Sequence, residues 1–114
     1  MTVSKEQGAR SKDGTVKIQN FTDLNAWKEA HKLYVSIYKT TKTFPKDELF
    51  GLTNQIRRAA LSVSSNIAEG FGRSSDLDKA HFYIIARGSL FETQNQLYAS
   101  RDVALVEPGT FDGL

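Results

Sequence analysis

Residues 47–71 read DELFGLTNQIRRAALSVSSNIAEGF. At 100° per residue, Leu49, Leu52, Ile56, Ala59, Ala60, Val63, Ile67 and Phe71 share one arc about 120° wide. That period predicts a helix with one buried side, and Gly70 and Gly72 suit the positive-φ positions that close a helix. Before it, a second helical period predicts a helix over 22–43. Trp27, Ala30, Leu33, Tyr34, Ile37 and Tyr38 fall on one side of it. Thr22 or Asn20 can cap this helix, and Phe44-Pro45 ends it. After it, Ser75 can cap a third helix over 75–101, with Asp76 and Asp78 in the first turn, where the helix dipole favours negative charge. Its main stripe is Leu77, Ala80, Ile84, Gly88, Phe91 and Tyr98, while Phe82, Ile85, Leu90 and Leu97 lie outside that stripe. Ile56 and Ile84 are the expected core positions of the second and third helices.

Three helices with short connections predict an all-α fold, an up-and-down antiparallel helical bundle. Glu107-Pro108-Gly109-Thr110-Phe111 reads as a turn and the start of a fourth helix, largely missing from a chain that stops at Leu114. The apolar surface of the third helix therefore needs a cover. Residues 1–19 have no periodicity and read as a disordered arm or a cloning remnant. Residues 20–114 read as one bundle domain, truncated at the fourth helix. The 114 residues suffice for a single small domain. Hydrophobic residues at 39% and charged residues at 25% are ordinary for a globular protein. With no cysteine there is no disulfide and no thiolate metal site. No apolar run approaches the roughly 18 residues of a membrane span, and no signal peptide is evident, so a cytoplasmic location is expected. The net charge of +2 resides in residues 1–19, since residues 20–114 carry 11 basic and 11 acidic side chains. Any nucleic-acid contact must then rest on how charge is distributed.

Four segments carry a resemblance: Phe44 to Leu52, Gln55 to Ala60, Ser65 to Arg73, and Ala86 to Glu92, together with Trp27-Lys28-Glu29-Ala30. They resemble the bacterial four-helix-bundle family of 23S rRNA intervening-sequence proteins, related to the accessory protein of diversity-generating retroelements. The similarity runs in order from about Phe21 to Leu105. It implies a four-helix bundle, a homopentameric ring and encoding within rRNA intervening sequences. In the retroelement branch it implies an accessory that engages nucleic acid and a reverse transcriptase. It implies no catalytic residue. The arm before Phe21 is longer than the family pattern, and the fourth helix is nearly absent.

Enzyme signals are poor, with no phosphate-binding loop, nucleophile elbow or His-Glu-x-x-His. A bundle metal site would want Glu-x-x-His on two helices and two further glutamates. The nearest match is Asp78-x-x-His81, once, with Glu69 and Glu92, so no metal and no cofactor are expected. Gly70-Phe71-Gly72 could form an anion nest, although a simple turn is the plainer reading. If the second and third helices reverse near Arg73-Ser74, Arg57 faces Glu92 and Glu69 faces His81. Both are expected as structural polar pairs at the rim of the core, the alternative being a polar site lining a pore. His31 has no acid–base partner nearby and reads as a surface residue. Phe50, Leu61 and Ala68 form a second apolar stripe about 120° from the first, a candidate oligomer interface.

Lys28, Lys32, Lys39 and Lys42 fall within about 80° of one another on the first helix, opposite its apolar face. Alone, such a stripe is a solvated face. Repeated around a ring, it becomes a belt able to follow a phosphate backbone. No aromatic residue interleaves with the lysines on this reading, so base stacking is not indicated. The expected function is a non-enzymatic, self-assembling bundle subunit that accompanies RNA or DNA. The alternative is a structural or protein-interaction module.

Overall fold

A computed structural model describes residues 17–106 and Gly109. Of the arm expected over residues 1–19, all but 17–19 lies outside the described residues, as does the fourth-helix start at Glu107 to Phe111 apart from Gly109. Every regular element among the described residues is helical. The three long helices are α1 (Asn25–Thr41), α2 (Asn54–Phe71) and α3 (Asp76–Asp102).

Asn20 caps a short 3-10 turn, Phe21–Asp23, rather than α1 itself. Its side-chain oxygen accepts from the Thr22 amide at 3.1 Å, and Asp23 accepts from the amides of Gln19 and Asn20. The regular helix then begins one extended residue later, beyond Leu24. Residues 47–53 also depart from the expected helix. They form a 3-10 turn, Lys46–Glu48, and a π-type turn, Leu49–Thr53. Gly51 sits there at φ −110°, ψ −114°, outside the helical range. The kink breaks the phase of the apolar arc, so Leu49 and Phe50 point outward.

The chain runs up, down and up, with α2 packed between α1 and α3. Two buried clusters join the elements. Ala30, Val63, Ile67 and Ala86 form one, against Leu24, Trp27 and Leu90. Ile37, Ile56, Ala60 and Leu97 form the other, against Leu33 and Tyr34. Both pair the start of one helix with the end of the next, as antiparallel neighbours must.

Ser75 caps α3 as expected, accepting from the Asp78 amide at 3.1 Å. The buried face of α3 is a correction. It consists of Ala86, Ser89, Thr93, Gln96, Leu97 and Ser100. Two hydroxyls are satisfied within the helix, Thr93 donating to the Ser89 carbonyl at 2.9 Å and Ser100 to the Gln96 carbonyl at 2.7 Å, while Ser89 reaches across to the Ser62 hydroxyl of α2 at 2.8 Å. Small side chains satisfied in these ways let α2 and α3 approach closely. The expected main stripe faces the other way, with Leu77, Ile84, Phe91 and Tyr98 exposed at 82%, 58%, 60% and 51%. Ile84 is therefore not a core residue, whereas Ile56 is fully buried.

The glycine expectation also changes. Gly72 ends α2 at φ −79°, an ordinary helical value. Gly70 lies inside α2, where a Cβ would come within 2.7 Å of the Tyr83 ring. Close approach of α3, not a positive φ, requires glycine there.

Candidate nucleic-acid interface

Helix α1 turns Ala30, Ile37 and Thr41 toward the core. That fixes the direction of the lysines. Lys32, Lys39 and Lys42 are exposed and Lys28 is half-buried on the face turned from α2. Lys42 lies one residue past α1, at its cap. Lys32 meets Glu29 at 3.4 Å, with both side chains 73% exposed. Such a pair contributes about 0–1 kcal/mol and leaves the lysine free to exchange partners. Glu29 is the sole acidic residue in α1, so the face stays positive.

The structure places aromatic rings along one edge of this lysine stripe, beside the lysines rather than among them. His31 lies flat on Trp27, with ring centroids 4.8 Å apart and planes 9° apart. Trp27 is held from behind by Phe21, edge-on at 5.6 Å. Tyr34 and Tyr38 follow, 6.2 Å apart. The sequence carried a signal for this arrangement: Trp27-Lys28, His31-Lys32 and Tyr38-Lys39 are each an aromatic ring followed by a lysine. Successive residues are 100° apart on a helix, so the two rows run side by side.

Arg57 joins this edge from α2. Its Nε donates to the Thr41 hydroxyl at 2.7 Å, and its guanidinium lies 4.3 Å from the centre of the Tyr38 ring. Lys42 approaches the same ring at 5.4 Å. The expected Arg57–Glu92 pair is thus absent, because Arg57 stands on the α1 side of α2. Arg58, one residue on, lines a 280 Å³ depression with Glu92, Gln55 and Ser62. The expected Glu69–His81 pair is absent too. Glu69 accepts from Arg73 at 3.3 Å, one turn along, and His81 stands edge-on to Phe82.

At Gly70-Phe71-Gly72 the plain turn forms, with the Gly72 amide donating to the carbonyls of Ala68 and Glu69 and the Arg73 amide to that of Gly70 rather than converging as an anion nest. Lys79 donates to the Phe71 carbonyl at 2.8 Å, so the end of α2 receives a cation, as its dipole favours. Among the described residues no three His, Asp or Glu side chains gather to hold a metal. No helix there is long and apolar enough to cross a membrane.

The sequence model of the 23S rRNA-intervening sequence protein family matches residues 22–114. The chain belongs to that family. A search of curated proteins finds no match. Two residues of the segments that resemble the family serve the α2–α3 seam: Gly70 lies under Tyr83, and Ser89 is bonded to Ser62.

Two further surfaces are left open. Phe50 is 89% exposed and Leu61 46%, with Ala68 half-buried beside them on α2. Between α1 and α3 runs an apolar groove of 540 Å³, floored by Val63 and Ile67 and walled by Ala30, Leu33, Ala86 and Leu90.

Proposed function

We propose that the chain is a non-enzymatic bundle subunit that self-assembles and accompanies nucleic acid through phosphate contacts. The supporting observation is the α1 face: Lys28, Lys32, Lys39 and Lys42 project from one side of a helix whose other side is fixed to α2. Membership of a 23S rRNA-intervening sequence family agrees with an RNA-associated role. The phosphate backbone dominates affinity in such contacts, and lysines on a rigid helix suit it.

Assembly is part of the same proposal. Leu77, Ile84, Phe91 and Tyr98 leave on the order of 500 Å² in solvent, near the largest patch a monomer usually keeps. Leu61 and Ala68 on α2, with Phe50 in the turn before it, add a second surface. Two unlike surfaces suit a head-to-tail contact, which closes into a ring when the rotation allows. Five copies is the number the family resemblance prefers. The groove between α1 and α3 is the place at which an up-and-down bundle takes a fourth helix.

Reversing all four lysines to glutamate in protein lacking residues 1–19 tests the reading. Filter binding to RNA at low salt should be lost, with an unchanged helical circular-dichroism spectrum. Binding that survives the four reversals would clear α1 of the role. No binding by the assembled wild type would favour the protein-interaction module.

A further inference from the structure

We infer that the aromatic–lysine edge of α1 binds single-stranded nucleic acid, with bases stacked on His31 and Tyr38 and phosphates on the flanking lysines. This rests on the nucleic-acid reading above and names the form of the ligand.

The argument begins with what each ring does for the fold. Trp27 packs against the first core cluster and Tyr34 against the second. Their burial explains both. His31 and Tyr38 belong to neither cluster, and both are exposed. Each is nevertheless held in place. His31 lies parallel to Trp27 at stacking distance, so the imidazole presents its outer face to solvent on an indole backing. Tyr38 is held by Arg57, which is itself anchored to the buried Thr41 hydroxyl. Exposed rings fixed in this way are platforms already ordered before a ligand arrives, so binding costs little side-chain entropy.

Charge lies where a strand on these platforms would need it. Lys32 follows His31 and Lys39 follows Tyr38, each about 100° around the helix. Lys42 and Arg57 lie over the Tyr38 ring itself, 5.4 Å and 4.3 Å from its centre. A basic track beside aromatic rings is the arrangement that holds single strands, because every base has a stackable face. Access to base faces decides against a duplex. His31 and Tyr38 are seven residues apart, which is about 10 Å along a helix. Bases of a duplex are stacked about 3.4 Å apart and turn only their edges outward. A strand whose bases are already free meets both platforms.

The chain's single tryptophan is Trp27, directly beneath His31, and it supplies the readout. The full chain is titrated at low salt with a short oligouridylate and with an RNA duplex of the same length. The single strand should bind about tenfold more tightly and change Trp27 emission. His31→Ala and Tyr38→Ala should each weaken single-strand binding about tenfold, with duplex binding and salt slope unchanged. Tyr38→Phe, which keeps the ring, should bind as wild type. Equal affinity for strand and duplex, or alanine variants that bind like wild type, would overturn the inference and leave a phosphate-only contact. A fall in assembled mass of the alanine variants by light scattering would overturn it in another way, by assigning the edge to a subunit contact. Failure of both RNAs to bind wild type would instead remove the nucleic-acid reading on which the inference stands.

Discussion

Ala104 adopts φ 63° just past the end of α3, and the next amide, Leu105, donates to the Ser100 carbonyl at 2.8 Å. A left-handed residue at a helix end is usually glycine, because a Cβ is strained there. Ala104→Gly should therefore raise stability by about 0.5–1 kcal/mol, read as a higher denaturation midpoint. Gly70 is the opposite case. Gly70→Ala forces a Cβ against Tyr83 and Phe82 and should cost about 1–3 kcal/mol. Ile56→Ala should cost about 2–5 kcal/mol, as truncation of a fully buried side chain does. Ile84→Ala, at an exposed position, should stay within about 0.5 kcal/mol of wild type in the isolated subunit. Thermal melts of the four variants check these outcomes together.

Helix positions were legible because an apolar period and a serine cap are local signals. The Ser75 cap and the Ile56–Val63–Ile67 face of α2 are found where the sequence puts them. The face of α3 was not legible. Hydrophobicity points to Leu77, Ile84 and Phe91, yet contact with α2 uses Ser89, Thr93 and Ser100. Thr93 and Ser100 bond to their own helix backbone and Ser89 to Ser62 across the seam, so these small side chains pack closely although a hydropathy wheel scores them as polar. Arg57 was misassigned for a related reason. A reversal point inferred from a turn fixes helix order but not rotation, and a 100° step separates Arg57, beside Tyr38, from Arg58, beside Glu92. Of the site, the lysine row was visible and its aromatic border was not. Trp27, Tyr34 and Tyr38 share the apolar side of the wheel, although Tyr38 is exposed, and nothing in the period shows that the surface residue His31 stacks on Trp27.

On the scale of the whole molecule, apolar side chains of α2 and α3 face outward on separate surfaces, and assembly is the proposal that covers them. Leu61→Glu should weaken self-association, because a carboxylate moved into an apolar contact loses its water and gains no partner. Light scattering should then show a smaller mass than wild type, with the helical spectrum unchanged. An unaltered mass would take Leu61 out of the contact. In the proposed assembly the lysine face repeats in every copy, so nucleic-acid affinity should fall when self-association is weakened. The most direct test is the salt dependence of RNA binding by protein lacking residues 1–19, compared with variants in which one lysine of the row is neutralised. Affinity should fall steeply with salt, and each lysine removed should lower the log–log slope by about one. A slope that the lysine variants leave unchanged would contradict the assignment of phosphate binding to α1.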